Sequence, residues 1–465
     1  MVTAEQTMTR VSPLDGSIVT TVTLTSASKI PDIVARSRQA FSSWSKTTIE
    51  SRGRILRKAA AIIEARSEEL AAAVRKETGK PLSGSLGEVG GAVEMGYLMA
   101  SHGRHELGAL LPSAVLGKQV RVQRIPRGVA ALIVTYNAPL PNYAWKCFPA
   151  LMAGNTAILK PSLATPLSAE LFVSIMHEAG VPQDVLQLVH GGAEAAGALV
   201  ESGVELVSFT GSYPTGRKVV AASAKTLAKT IIELGGSNPL IVCADANLDK
   251  AADAVLDSAF SNAGQRCSSA SRVVIEHSVY EEFRKILTKK ASAVTFGVEP
   301  DVDVSTLVDD ASAGAFEDFL NQAIAHGATV ERVGRASGPI EGVAALVQPA
   351  IIESLDVATD VASSEIFGPA TRLFSFSTDD EAIEIADSSE YGLTAAVWSS
   401  DIARAERIVA SLQFGVININ GPTHGAEVNM PFGGLKNSGN GSRDAGIHAI
   451  DQYADVQVVS TFFGA

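Results

Sequence analysis

Apolar and polar positions change rhythm twice along this chain. Up to about residue 107 they recur at helical spacing. In "ILRKAAAIIEARSEELAAAVRK" an apolar position returns every three or four residues. The pattern predicts helix over 29–107, with Ser28 and Thr48 as candidate N-caps. From residue 129 short runs of Val, Ile and Leu alternate with amphipathic stretches. VAALIV, TAILK, VLQLV, LVSFT and TIIEL read as strands, and 140–153, 166–179, 192–200 and 214–225 as the helices between them. Such alternation predicts a parallel sheet covered by crossover helices.

After "GGSNP" (Gly235 to Pro239) a second series begins with LIVC. It continues through a helix near 249–261 and the strands RVVIE, TRLFSF, TAAVWS and VININ. Two sheets in series predict two α/β units joined near Gly235. The stretch "ALLPSAVLGKQVRVQRIP" at 109–126 fits neither series. Its "KQVRVQR" alternates like a half-exposed strand, as does "VQVVSTFF" near the C-terminus. A projecting β unit buried against a partner subunit and an ordinary surface hairpin explain the two segments equally well.

Composition narrows the class. With 465 residues the chain is long enough for two or three domains, and 46% apolar against 19% charged residues supports large cores. The net charge of −12 argues against a nucleic-acid partner. No apolar run approaches the ~20 residues that span a bilayer, and MVTAEQTMTR has no signal-peptide core. Three cysteines without a CxxC pair make neither a disulfide framework nor a zinc site. These features predict a cytoplasmic protein with reduced thiols and neither nucleic acid nor membrane as partner.

Of the three thiols, Cys147 ("WKCFPALMAG") and Cys243 ("LIVCADA") sit in apolar segments, where free cysteine is a small core residue. Cys267 sits in "FSNAGQRCSS", just past a helix expected to stop with Gly264 as its C-cap. A thiol on such a loop is reachable by a ligand and suits a nucleophile, though a structural thiol fits as well. "IIELGGSNP" puts Glu233 at the end of an apolar strand, where a carboxylate is costly unless partnered or functional. "TYNAP" puts Asn137 just after a strand, where open α/β sheets bind ligands. "SFTGSYPTG" runs strand, Gly211, Ser212, helix, an arrangement that holds phosphate. "ILKPS" sets Lys160 and Ser162 at another strand end. "GNGSRDAG" (439–446) lacks a preceding strand, so it is not a dinucleotide loop, and "HGGAEAAG" reads as a tight turn. His190 and His424 lack metal-ligand spacing, and no metal site is predicted.

Taken together, "NAPLPNYAWKCFPALMAGNTAILKPS", "FTGSYPTG", "ELGGSNP", "NAGQRC", "EIFGP", "YGLTAAVW" and "PFGGLKNSG" resemble the aldehyde dehydrogenase superfamily, in the family's order, from about residue 120 onward. The resemblance implies a Rossmann-like cofactor domain (1–107 and 127–235), an α/β catalytic domain (236–437) and a projecting β oligomerisation unit (108–126 and 438–465) in a homodimer or homotetramer. It implies a small-molecule aldehyde as substrate and NAD or NADP as cofactor. Cys267 matches the nucleophile that forms a thiohemiacetal and then a thioester. Asn137 matches the oxyanion-hole amide, and Glu233 the base that activates the hydrolytic water. Lys160, Ser162 and position 163 match the adenine-ribose site, Gly211 and Ser212 the pyrophosphate site, and Glu365 and Phe367 the nicotinamide site. Ala138, Asn142, Trp145, Arg266 and Phe432 match the substrate tunnel.

Two departures bear on specificity. Many NAD-using members carry glutamate directly after the KPS triplet; here Leu163 stands there. Its loss removes an acceptor for the 2′-hydroxyl and a repulsion against a 2′-phosphate, so NADP is expected to be accepted, with retained NAD preference as the alternative. Ala138 stands where a bulky aromatic is common, Asn142 adds polarity, and Arg266 either faces the substrate or pairs structurally. The expected substrate is a semialdehyde, or a bulky aldehyde with a polar or aromatic tail such as an aryl or pyridyl keto-aldehyde. Glu233 favours hydrolysis over transfer to coenzyme A. A catalytically silent binding protein is disfavoured by the presence of all three catalytic matches. A cofactor-free cysteine hydrolase is disfavoured by the lack of a histidine partner.

Overall fold

The computed structural model describes residues 6–104, 108–338 and 342–463. The chain opens with a hairpin, β1 (Thr7–Val11) and β2 (Ile18–Thr23), that no apolar run announces. Arg10 of β1 donates to the carbonyls of Glu77 and Val308, tying the hairpin to both halves of the molecule.

The helical stretch divides into α1 (Ile30–Trp44), α2 (Ile49–Ala65), α3 (Ser67–Thr78) and α4 (Leu82–Ser101). Thr48 caps α2: its hydroxyl accepts the Ser51 N–H at 3.2 Å. Ser28 does not cap α1. It lies inside a 3₁₀ turn, Ala27–Lys29, and its hydroxyl pairs with Ser26 at 3.0 Å. Lys29 already has helical backbone, so the extended residue that a side-chain cap requires is missing. The expected boundary at residue 107 lies outside the described residues.

Next come β3 (Gly108–Leu111), β4 (Lys118–Pro126), β5 (Val129–Ile133), α5 (Pro139–Ala153), β6 (Thr156–Lys160), α6 (Pro166–Ala179), β7 (Leu186–Leu188), α7 (Ala193–Glu201), β8 (Leu206–Thr210), α8 (Tyr213–Ser223) and β9 (Lys229–Glu233). Strands β5 to β9 form a parallel five-stranded sheet in the order β7-β6-β5-β8-β9. Every residue of β5, β6 and β8 is buried. Alternate residues serve opposite faces. Val129, Ala131 and Ile133 pack with Ile30, Val34 and Leu199, while Ala130 and Leu132 pack with residues of α2, α4 and α5. A strand covered on both faces reads as a continuous apolar run, which is why these were legible.

After β9 the chain crosses Leu234 to Ser237 into β10 (Asn238–Val242), α9 (Leu248–Phe260) and β11 (Ala270–Glu276). A seven-stranded sheet follows, in the order Thr329–Arg332, Ala350–Glu353, Ala370–Phe376, β11, β10, Thr394–Trp398 and Val416–Ile419. Only its edge strand, Thr329–Arg332, is antiparallel. The last strand, Ala454–Phe462, pairs antiparallel with the whole of β4, and β3 completes that three-stranded sheet. Two buried arginines on neighbouring strands, Arg272 and Arg372, donate to carbonyls rather than to carboxylates. Arg272 takes Ser237, Ile385 and Ala386; Arg372 takes Ser271, Val361 and Ser364.

One expectation at the thiol fails. The helix α9 stops at Phe260, with Ser261 extended, so Gly264 is not its C-cap. Asn262, Ala263 and Gly264 are instead three successive left-handed residues (φ 55, 52 and 67°). The turn is pinned by Asn262 Nδ2, which donates to the Gln265 carbonyl at 3.2 Å. Gly264 is required for a different reason: a Cβ there would run into the Gly368 carbonyl. Among the described residues no helix is long and apolar enough to cross a membrane.

Thr48→Ala is expected to cost about 1 kcal/mol by removing the α2 cap, whereas Ser28→Ala leaves stability within about 0.5 kcal/mol. Urea unfolding followed at the helical circular-dichroism band, variants beside wild type, checks both.

Candidate active site

The ends of β5, β8 and β9 face the turn between α9 and β11 across a cavity of about 1100 Å³. Ligands of open α/β sheets bind at such carboxyl ends. The cavity brings together Cys267, Glu233, Asn137, Gly211, Ser212, Glu365, Phe367, Ala138, Asn142, Trp145, Arg266 and Phe432. Lys160, Ser162 and Leu163 are not among its lining residues; Lys160 ends β6, and Ser162 and Leu163 sit on the β6–α6 loop. A Cβ on Gly192 would lie 3.9 Å from the Leu163 side chain, so Leu163 covers the start of α7.

Cys267 is placed by its neighbours' backbones. The buried Asn238 side chain donates to the carbonyls of Cys267 (2.8 Å) and Ser269 (2.9 Å) and accepts the Thr394 N–H at 3.0 Å. Gly236 lets this approach happen, because a Cβ there would sit 2.5 Å from the Cys267 carbonyl. Gly235 has no room for one either, since it would strike the Glu365 carboxylate. Glu365 Oε1 in turn accepts the Gly236 N–H at 3.2 Å. Phe367 holds an unusual φ of 51° and meets Tyr136 edge-on at 6.1 Å. For an aromatic residue this left-handed backbone costs on the order of 1 kcal/mol. Arg372, gripping the carbonyls of Val361 and Ser364, fixes the segment that carries Glu365 and Phe367.

Burial dominates the electrostatics. It pushes Glu233 up to about 8; the Asp444 charge adds to this, and the Cys267 thiol and Lys146 pull it back. The Cys267 thiol is itself driven well above its ordinary range by burial, then by the neighbouring Glu233 carboxyl. Burial raises Glu365 to about 7, opposed by the Gly236 N–H. Glu233 Oε1 and Asn137 Oδ1 are buried without a hydrogen-bond partner among the described residues.

Several lining or supporting groups were not predicted. Lys146 is fully buried and pairs with Asp444 at 2.6 Å, also donating to Ser208 Oγ at 2.9 Å. Asp444 belongs to "GNGSRDAG", which folds against β9, with Gly439 bridging to Glu233, and Asp444 lines the cavity. A lysine inside apolar "WKCFPALMAG" was the available signal that a buried anion awaited it. Lys80 is buried beside Glu88 and donates to the Asn137 carbonyl, which also receives Asn262 Nδ2 at 3.2 Å. These donors come from residues far apart in sequence, and no local pattern joins them. Trp145 and Phe432 pack ring against ring at 5.6 Å. Arg266 lines the cavity and makes no ion pair within 4.0 Å among the described residues; Asp257 is the carboxylate that supports its charge. Asp257 itself accepts from His424 at 3.1 Å, and His190 lies 3.3 Å from Glu170. No group of three or more His, Cys, Asp or Glu among the described residues is arranged to hold a metal ion.

Two of the positions that the resemblance matches to a dinucleotide carry groups suited to an anion. Lys160 is only 6% exposed, and its ammonium donates to the Pro161 carbonyl at 2.9 Å, with no carboxylate paired to it among the described residues. Burial draws it down to about 8, so an anion there would be welcome. Ser212 stands at the N-cap of α8, whose first-turn N–H groups favour phosphate.

The family model for the aldehyde dehydrogenase family matches residues 1–459. The betaine aldehyde dehydrogenase of Bacillus subtilis (strain 168) is 33% identical, over 98% of this chain and 94% of its own. The 2-aminomuconic semialdehyde dehydrogenase of Homo sapiens is 34% identical, over 96% of this chain and 93% of its own. Among solved structures, betaine aldehyde dehydrogenase from Staphylococcus aureus in complex with NAD+ superposes with a TM-score of 0.95 at 29% identity, covering 99% of this chain and 92% of that one. The match spans both sheets and the three-stranded unit, and the chain belongs to the aldehyde dehydrogenase family.

Proposed function

We propose that this enzyme oxidises an aldehyde to the carboxylic acid through an acyl-thioester on Cys267. One observation carries the reading: a single cavity gathers a thiol, a high-pKa carboxyl, an amide and the residues matched to the pyrophosphate and nicotinamide sites. Cys267 Sγ adds to the aldehyde carbon. The Asn137 side-chain amide and the Cys267 backbone N–H hold the developing oxyanion, each such donor being worth about 3 kcal/mol. A bound nicotinamide dinucleotide supplies the two-electron oxidant. Glu233 then takes a proton from the water that hydrolyses the thioester. Lys80 and Asn262, both on the Asn137 carbonyl, keep that residue turned to its task.

NADP is accepted alongside NAD. The support is Leu163 in place of a ribose-binding carboxylate, together with Lys160 buried and free of any carboxylate among the described residues. The substrate is a semialdehyde, or a bulky aldehyde with a polar or aromatic tail. Arg266, facing the cavity without an ion pair, supplies the cation for an acidic or carbonyl-bearing tail. Relatives named for α-ketoglutaric semialdehyde and succinate semialdehyde, each 32% identical, agree with an acidic tail. A second copy of the chain covers the three-stranded sheet, where Leu110 (66% exposed), Val456 (69%) and Phe462 (57%) face outward.

Cys267→Ala abolishes formation of reduced nicotinamide, while Glu233→Gln keeps a stoichiometric burst and loses at least a hundredfold in steady turnover. Because Glu233 works deprotonated and its pKa is raised to about 8, kcat rises with pH through that value. Asp444→Asn removes the like charge and shifts the rise to lower pH. Stopped-flow absorbance and pH–rate profiles check these, and failure of Cys267→Ala to abolish turnover overturns the mechanism. Leu163→Glu lowers kcat/KM for NADP at least tenfold relative to NAD in steady-state assays; an unchanged ratio rejects the cofactor reading. Arg266→Ala raises KM at least tenfold for succinic semialdehyde but not for an uncharged aldehyde of similar length; equal effects remove Arg266 from substrate recognition.

A further inference from the structure

Helix α4 is unusual in its own terms. Its twenty residues include Gly84, Gly87, Gly90, Gly91 and Gly96, and glycine inside a helix weakens it. Packing explains Gly96: a Cβ there would lie 2.8 Å from Ala60 Cβ and 2.9 Å from the Phe148 ring. It does not explain the others. A Cβ on Gly84 or Gly87 would meet nothing within 4 Å, and one on Gly91 would meet only Pro141 Cγ at 4.0 Å. None of these three has the positive φ that demands glycine. What Gly84, Gly87 and Gly91 share is position. At spacings of three and four they fall on one face of the helix, and all three line the cavity that holds Cys267.

Opposite that face α5 presents Pro141, Asn142 and Trp145 to the same space. The Trp145 indole N–H is buried there with no acceptor among the described residues. Asn137, 7% exposed, lines the same cavity, and its Oδ1 has no hydrogen-bond partner among the described residues. On the α4 side the gap between α4 and α5 has no side chain at Gly84, Gly87 and Gly91, with Ser83 and Glu88 beside them, and on the α5 side it meets the unpartnered Trp145 N–H. A Cβ at Gly84 or Gly87 would meet nothing within 4 Å, and a side chain there would strengthen the helix.

We propose that the glycine face of α4 is a specificity determinant that makes room for a ring-bearing tail. The preferred substrate is an aldehyde whose tail carries a flat ring, lying on Gly84, Gly87 and Gly91, with an acceptor atom for the Trp145 N–H. This rests on the aldehyde-oxidising reading and narrows it, since an unbranched semialdehyde has no use for the extra width. Gly84, Gly87 and Gly91 act on binding of the tail and touch no reacting atom.

The test compares ring-bearing and straight-chain aldehydes, benzaldehyde and a pyridyl keto-aldehyde against butanal and succinic semialdehyde, on wild type, Gly87→Leu, Gly87→Ala and Gly90→Leu. Gly90 lies on the same helix, but it does not line the cavity and nothing stands within 4 Å of its Cβ position. Wild type is expected to favour a ring-bearing aldehyde in kcat/KM by at least tenfold. Gly87→Leu lowers that ratio at least tenfold and Gly87→Ala lowers it less. Gly90→Leu leaves the ratio unchanged, and it and Gly87→Ala raise the thermal midpoint. A wild type without ring preference, or a ratio that Gly87→Leu leaves alone, overturns the proposal. Should Gly87→Leu fail to fold, the direction of the Gly87→Ala shift decides. A second readout separates this from failure of the reaction itself: protection of Cys267 from alkylation by benzoate against butyrate. Selective protection by benzoate that Gly87→Leu abolishes supports the glycine wall even if no aldehyde is turned over. Equal protection by the two acids overturns it.

Discussion

The site depends on one buried amide. Asn238 opens the first strand of the second sheet, and its side chain holds the carbonyls on either side of Ser268 while taking the N–H of Thr394. The nucleophile's turn is thereby tied to two strands rather than to the helix that precedes it. This matters because that turn contains three consecutive left-handed residues, a conformation that no local preference would hold. The close approach needs Gly236 on one side and Gly264 on the other, where any Cβ would meet backbone oxygen. A strained turn persists where its surroundings over-determine it, and here they do so with directed hydrogen bonds.

Around this frame the protein buries charge in a graded way. Lys146 and Asp444 form a nearly dry pair behind Glu233, so the base feels a carboxylate and an ammonium at once. The carboxylate's effect exceeds the ammonium's, and it adds to the burial that holds Glu233 above the usual carboxylate range. Removing one member of such a pair costs far more than the pair contributes, because the other is left charged and dry. Arg272 and Arg372 solve the burial of cations differently. Each spends its donors mainly on backbone carbonyls, among them Ser237 beside Gly235 for Arg272 and Ser364 beside Glu365 for Arg372. The guanidinium fork is suited to gripping several carbonyls in one plane.

Much of the fold is legible in the chain because both faces of the central strands are covered. VAALIV, TAILK and LVSFT are continuous apolar runs for that reason, and the helices between them end where the pattern predicts to within about two residues. Strands facing solvent on one side or lying at an edge carry weaker patterns. The hairpin β1–β2 and the edge strand Thr329–Arg332 were invisible for that reason, being mostly exposed or half-buried. Ser28 misled because a serine before a helix signals a cap only if its own backbone is extended, which sequence does not state.

The sequence by itself singled out the candidate reacting groups: Cys267 on a polar loop, Glu233 at the end of an apolar strand, and Asn137 after another. Each is a local anomaly, a reactive or polar group where burial or exposure makes it costly. What only the tertiary structure decided is their company. Asp444 and Lys146 are 298 residues apart, and Lys80 and Asn137 are 57 apart. Their contacts arise when β9, α5 and the 433–446 segment close on one another. Whether α4's glycines were slack or purposeful was equally undecidable from their spacing, because a missing side chain acquires meaning only from the empty space beside it. Pattern along a chain reports the environment of each residue, one at a time; which environments coincide is settled by packing.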